Sequence, residues 1–208
     1  MATFDLIVIG AGSGGLAAAK RAASYGKTVA ICESDRVGGT CVIYGCVPKK
    51  IMVYASQFAH ATSNAKQYGW DINASFSWET LKTNRDQLID RLNTLHISFL
   101  EKSNVTLLTG EAVFNNANSI TIEGNTHTAE TILIATGGTA TPPKIEGANH
   151  AVTSNALFSM PSLPESIAII GGGYIGIEFA SILNALGSKV GLILRKNTIL
   201  RGFDNECR

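Results

Sequence analysis

Apolar and polar positions along this chain follow two rhythms. Residues 6–9, Leu-Ile-Val-Ile, form a short unbroken apolar run closed by Gly10, which predicts a buried strand. Residues 16–25 are alanine-rich and stop at Gly26, which predicts a helix. A second strand is expected over 28–32, closed by Glu33. Strand, helix and strand within about 30 residues make a βαβ unit. Pro48 stands where a helix would begin, and that helix is expected to run to about Lys66. A longer helix is expected from near Ser77, with Leu81, Leu88, Leu92, Leu95 and Phe99 forming one apolar face. Short strands follow over 105–108, 119–122 and 131–135, with a turn at Gly124-Asn125. Residues 139–149, containing Pro142-Pro143, read as a linker. A second βαβ unit then runs as strand 166–170, helix 174–186 and strand 189–194.

Composition narrows the class. Hydrophobic residues make up 45% of the 208, which excludes intrinsic disorder, and charged residues only 16%. The 21 glycines and few charges suit buried parallel strands joined by tight turns beside a ligand. With a net charge of +1 and no basic block, nucleic acid and anionic membrane have no electrostatic reason to be partners. Residues 1–5 carry no positive region of the secretory kind. The apolar stretch 167–187 holds Gly171-Gly172-Gly173 and Glu178, which a membrane-spanning helix tolerates badly. The expected setting is a soluble one, cytosol or organelle matrix.

The two βαβ units carry matching glycine patterns whose first glycines, Gly10 and Gly171, are 161 residues apart. The first is Gly10-Ala11-Gly12-Ser13-Gly14-Gly15 between a strand and a helix. Such glycines permit a tight turn and let a pyrophosphate rest on the helix N-terminus. Glu33 ends the next strand, where a carboxylate can accept a ribose hydroxyl. The second is Gly171-Gly172-Gly173-Tyr174-Ile175-Gly176. Its following strand ends Leu194-Arg195 without an acid, and Arg201 comes six residues later. Arginines there can pair with a 2′-phosphate, which argues for NADP over NAD. The plainer alternative is that Arg195, Lys196 and Arg201 form a solvated basic face. Two nucleotide sites of unequal size are expected, the second domain cut short.

Four cysteines remain to be placed. Cys32 falls inside a predicted strand and reads as core, and Cys207 receives no role. Cys41 and Cys46 are separated by four residues in Gly38-Gly39-Thr40-Cys41-Val42-Ile43-Tyr44-Gly45-Cys46-Val47-Pro48-Lys49-Lys50. No second cysteine pair exists and His60, His96, His127 and His150 are scattered, so a zinc site is not indicated. A structural disulfide closing so short a loop would contribute only about 2 kcal/mol. A redox pair is the better reading. Cys46 would sit at a helix N-terminus with Lys49 and Lys50 close by, conditions that favour a thiolate.

Two dinucleotide fingerprints, the CxxxxC pair after the first βαβ unit and Thr131-Ile132-Leu133-Ile134-Ala135-Thr136-Gly137-Gly138 together resemble the pyridine nucleotide–disulfide oxidoreductases. The cysteine segment, with Arg195 and Arg201, is most similar to the glutathione-reductase branch of that family. The resemblance implies an α/β fold of two Rossmann-like domains, residues 1–138 binding FAD and 139–208 binding NADP, the second truncated. It implies that FAD is held by Gly10, Gly12, Ser13, Gly14, Gly15, Glu33, Thr40, Cys41, Ala112, Thr136 and Gly137. It implies NADPH at Gly172, Gly173, Ile175 and Gly176, with Arg195 and Arg201 on its 2′-phosphate and Tyr174 as a gate. Lys49 would stand by the flavin, paired with Glu178. Cys41 and Cys46 would form the redox disulfide, Cys46 facing the flavin and Cys41 attacking glutathione disulfide.

Departures from the family pattern are also visible. Lys20 stands where many relatives have arginine, and His96 where a substrate-contacting tyrosine often stands; with Ser13 they are the substrate-binding candidates. No metal site is expected. The family's dimer-forming domain, with its catalytic His-Glu pair, is not in this sequence. The chain is therefore expected to be the N-terminal part of one roughly twice as long, dimeric when complete and inactive alone. Sister readings are dihydrolipoamide dehydrogenase, which would want an acid at Leu194, and trypanothione or mercuric reductase. A protein that binds FAD or NADP without disulfide turnover is the reading from another class.

Overall fold

A computed structural model describes residues 2–208; Met1, at the start of the expected first domain, lies outside the described residues. In chain order the elements are β1 (Ala2–Ile9), α1 (Ser13–Ser24), β2 (Val29–Glu33), α2 (Gly39–Ile43), α3 (Cys46–Asn64) and α4 (Trp78–Lys102). Then come β3 (Val105–Thr109), β4 (Val113–Asn116), β5 (Ser119–Ile122), β6 (Asn125–Ile134), α5 (Ser154–Leu157), β7 (Ser166–Ile170), α6 (Tyr174–Ala185) and β8 (Lys189–Ile193). The chain divides into two compact units, Met1–Pro48 with Asp86–Pro143 and Lys49–Arg85 with Lys144–Arg208. Residues 49–85, which the sequence assigns to the first domain, thus group with the second unit.

The first unit is built on a six-stranded sheet in the order β3-β2-β1-β6-β5-β4. β3, β2, β1 and β6 run parallel, with Ile7 opposite both Ala30 and Ile132. Val8, Val29, Ile31 and Val105 pack on one face with Leu16 and Ala19 of α1 and Leu100 of α4. Ile7, Ala30 and Cys32 pack on the other with Ile120, Ile122 and Ala129. Successive side chains point to opposite faces, and at residues 6–9 of β1 and along β2 both faces are covered, so these two segments read as continuous apolar runs.

The sheet is mixed rather than purely parallel. β6 begins at Asn125, six residues before the expected strand, and pairs antiparallel with β5, which pairs with β4. The polar stretch Asn125–Glu130 gave no apolar signal and becomes strand because β1 and β5 offer it hydrogen-bond partners on both sides. The hairpin turn is Glu123-Gly124, both at positive φ, the backbone form that two-residue hairpins demand. β4 is exposed along its length and was not anticipated.

Helix α4 also differs. Ser77 caps it, its hydroxyl accepting the Thr80 N–H at 3.2 Å. The buried positions, however, are Trp78, Arg85, Ile89 and Leu100, while Leu88, Leu95 and Phe99 of the expected apolar face are exposed. α4 carries apolar residues on adjoining stripes, and the side that meets a neighbour is decided by packing rather than by periodicity.

The second unit contains a parallel pair, β7 and β8, joined through α6. Phe179, Ile182, Leu183 and Leu186 are buried, while β7 and β8 are half-buried at alternate residues and exposed at the others, so these strands are covered on one face only in part. No helix among the described residues is long and apolar enough to cross a membrane.

Candidate functional site

The first glycine loop leaves β1 at Gly10, whose φ of 103° is open only to glycine. A Cβ there would also overlap the Ala135 carbonyl, and one on Gly15 would overlap the Gly10 carbonyl. The loop is therefore pinned between the end of β6 and the first turn of α1. Ala135 donates its N–H to Ile9 at 2.8 Å, which carries Thr136 and Gly137 to the loop. α1 begins at Ser13, three residues earlier than the pattern indicates, with Gly12 as an N-cap that offers no side-chain acceptor and no acid in the first turn. The first-turn N–H groups of a helix have no partner within it. An added Cβ on Gly14 meets nothing within 4 Å, so the loop faces open space.

Glu33 closes the ring from the next strand. One carboxylate oxygen accepts the Ala11 N–H at 2.7 Å and the other the Asp35 N–H at 2.9 Å. These bonds fix the carboxylate and leave lone pairs free for a hydroxyl. The Glu33 carbonyl accepts Gly110 N–H at 2.8 Å, which brings the turn ahead of half-buried Ala112 to the same edge. Unsatisfied first-turn donors, a prearranged carboxylate and glycines that admit close approach fit the pyrophosphate and ribose of FAD.

The thiol segment is tied to this loop through its backbone. Gly38 donates to the Ala11 carbonyl at 2.9 Å, and an added Cβ on Gly39 would come to 2.5 Å from the Gly12 Cα. α2, a helix that the sequence reading missed, starts at this contact and carries exposed Thr40 and half-buried Cys41. A Cβ on Gly45 would meet the Thr40 carbonyl at 2.6 Å, so only glycine lets the chain turn back toward Cys41. α3 then starts at Cys46, two residues ahead of the expected Pro48, and Cys46 is exposed. Lys49 pairs with Glu178 at 2.5 Å, and Lys50 lies 4.9 Å from the Tyr54 ring centroid. Asn93, which the sequence did not single out, donates to the Val37 carbonyl at 2.7 Å and steadies the segment from α4.

Lys20 and His96 gather at one place with Phe99. The Lys20 ammonium is 5.9 Å from the Phe99 ring centroid, and the His96 ring meets it edge-on at 6.4 Å. Burial and then the Lys20 charge push the His96 pKa below its ordinary value, and its Nδ1 is buried without a hydrogen-bond partner. Ser13 is exposed at the first position of α1.

The second unit repeats the first loop. Gly171 has φ 118°, a Cβ on Gly176 would overlap the Gly171 carbonyl, and Gly173 is an uncapped N-cap of α6. Tyr174 and Ile175 are exposed in the first turn. Leu200 donates its N–H to the Gly172 carbonyl at 2.6 Å, which returns the chain to the loop and sets Arg201 beside it. Arg195 and Arg201 are exposed, and no acid lies in the first turn of α6. Open donors flanked by two arginines fit a dinucleotide with an extra phosphate. Among the described residues, no group of three metal-ligating side chains is present.

Residues 4–208 match the family model described as pyridine nucleotide-disulphide oxidoreductase. The chain is 52% identical over 206 residues to a protein of Nostoc sp. (strain PCC 7120 / SAG 25.82 / UTEX 2576) named glutathione reductase, covering 99% of this chain and 45% of that protein. It is 48% identical to one of the same name from Burkholderia cepacia, covering 99% of this chain and 46% of the relative. It is 41% identical to the chloroplastic/mitochondrial glutathione reductase of Pisum sativum, covering 97% of this chain and 39% of the relative. The chain thus spans under half the length of these curated relatives.

Proposed function

The chain belongs to the pyridine nucleotide-disulphide oxidoreductase family, and on that premise we propose that it is part of an NADPH-dependent reductase of glutathione disulfide. The overall change is NADPH, a proton and glutathione disulfide giving NADP⁺ and two glutathione thiols. The observation that carries this reading is the backbone tie between the Cys41 segment and the first glycine loop, through Gly38 on Ala11 and Gly39 against Gly12. It couples a thiol pair to a dinucleotide cradle.

FAD, when bound, supplies the exchange of an electron pair between nicotinamide and sulfur. Gly10, Gly12, Ser13, Gly14 and Gly15 would hold its pyrophosphate, Glu33 its ribose, and Thr40, Cys41, Ala112, Thr136 and Gly137 the rest of that edge. Gly172, Gly173, Ile175 and Gly176 would hold the NADPH pyrophosphate, Arg195 and Arg201 its 2′-phosphate, and Tyr174 would gate entry of the nicotinamide. Lys49, oriented by Glu178, would present its ammonium toward the flavin. The reduced Cys41 thiolate attacks one sulfur of glutathione disulfide, forming a mixed disulfide and releasing one glutathione thiolate, which takes up a proton. Cys46 then attacks the Cys41 sulfur, releases the second glutathione and restores the Cys41–Cys46 disulfide. Ser13, Lys20 and His96 are the substrate-contacting candidates. The role in the cell would be thiol redox homeostasis, carried out by a soluble homodimer of the whole protein in cytosol or organelle matrix.

Reduction of the FAD-loaded protein with one equivalent of NADPH, followed by thiol titration, tests this. Two new thiols per chain are expected, none in Cys41→Ser or Cys46→Ser, and fewer with NADH. Turnover with glutathione disulfide is expected to exceed that with lipoamide, trypanothione disulfide or mercuric ion. No new thiols after reduction overturns the reading.

A further inference from the structure

Arg85 is the largest fully buried side chain among the described residues, at 2% exposure. A guanidinium is costly to bury unless its donors are used. Arg85 donates to the Phe158 carbonyl at 2.5 Å and stands 5.7 Å from the centroid of the Phe158 ring. Its other terminal nitrogen reaches the Met52 sulfur at 3.9 Å. One side chain on α4 therefore grips both α3 and the residue that follows α5.

Both grips lead to the same ion pair. Met52, fully buried, lies three residues after Lys49 on α3, so the two share a helix face. The Phe158 ring packs edge-on against Phe179 at 5.4 Å, and Phe179 directly follows Glu178 on α6. Lys49 and Glu178 are 129 residues apart in sequence and meet at 2.5 Å with side chains 23% and 38% exposed. A pair that open to water does little to hold itself together. Its geometry must come from the backbones that present it.

We infer that Arg85 is a positioning residue: by gripping Met52 and Phe158 it sets the separation of α3 and α6 at which Lys49 and Glu178 pair, and so fixes the Lys49 ammonium. Trp78, two turns earlier on α4, donates its indole N–H to the Met160 carbonyl at 3.1 Å. That bond holds the same segment but leads to neither partner of the pair, which makes it the control. The consequence for catalysis rests on the proposed reductase reading, whereas the positioning itself does not.

The test is site-resolved acylation of lysines in the full-length, FAD-loaded protein, with Lys66 as internal reference. Arg85→Met keeps the volume and loses the donors. It is expected to raise Lys49 labelling relative to Lys66 by about two- to fivefold, the span opened by breaking a partly exposed ion pair. Arg85→Lys is expected to recover part of the protection. Phe158→Leu, which leaves the guanidinium in place and removes the ring between Arg85 and Phe179, is expected to act in the same direction. It carries the test if Arg85→Met does not fold. Trp78→Phe is expected to lower the melting temperature without exposing Lys49. Unchanged Lys49 labelling in the Arg85 and Phe158 variants overturns the inference, as does an equal rise in Trp78→Phe. Raised labelling in a protein that shows no thiol reduction by NADPH would leave the positioning role standing and sink the reductase reading.

Discussion

Glu33 and Leu194 stand at the same position in two copies of one unit. Each directly follows the residue whose carbonyl accepts the N–H of the first loop glycine, Cys32 for Gly10 at 2.8 Å and Ile193 for Gly171 at 3.0 Å. The strand registers agree, Ile9 opposite Cys32 and Ile170 opposite Ile193. One unit therefore presents a carboxylate where the other presents an alkyl group followed by Arg195.

Nucleotide preference follows from this exchange. Replacing Leu194 by Glu together with Arg195→Leu and Arg201→Leu adds an acceptor for a free 2′-hydroxyl and removes the two exposed cations proposed to face a 2′-phosphate. Losing such charge-assisted bonds is expected to weaken NADPH binding by about 10- to 100-fold and to favour NADH. Titration of each nucleotide against the variant measures it, and unchanged preference would place the 2′-phosphate elsewhere.

The glycines of the first loop are expected to divide into two kinds. Gly15→Ala drives a methyl into the Gly10 carbonyl and should cost about 1–3 kcal/mol, as overpacking does. Gly14→Ala meets nothing within 4 Å and lies in α1, so it should be neutral or stabilising by up to about 1 kcal/mol. Its cost should fall on FAD retention instead, because the methyl enters the space in front of the loop. Urea midpoints and flavin absorbance after gel filtration separate the two effects.

Acid should remove one anchor of β1. The Asp5 carboxyl is held down from its ordinary 3.8 to about 2, first by the Thr28 hydroxyl, then by the Thr28 N–H and Lys27. A carboxyl with a depressed native pKa stabilises the fold above its unfolded pKa and loses that contribution as pH falls through the native one. The melting-temperature gap between the wild type and Asp5→Asn is therefore expected to be full above about pH 5 and to close toward pH 2. A gap that stays constant across that range contradicts this.

Cysteine labelling should rank by burial. Burial pushes the Cys32 thiol up to about 12, so on the order of one part in ten thousand is thiolate at pH 8. After reduction, iodoacetamide is expected to modify exposed Cys46 and Cys207 in the native protein and to reach Cys32 only on unfolding. Rapid native modification of Cys32 would show that the β2 core opens locally.

Much of this was legible along the chain because it is local. Glycine at Gly10 and Gly171 is demanded by the backbone angle, the apolar runs at β1 and β7 by their place in a sheet, and Gly45 by the return toward Cys41. Residue type encodes such constraints directly, since they act between near neighbours in sequence. Distant contacts decided the remainder. That α4 buries Arg85 and leaves Leu88 exposed, and that polar Asn125–Glu130 becomes strand, depend on which surfaces meet after folding. A helical period shows that a face exists, but only the neighbours packed against it choose which face is buried and which charges are satisfied.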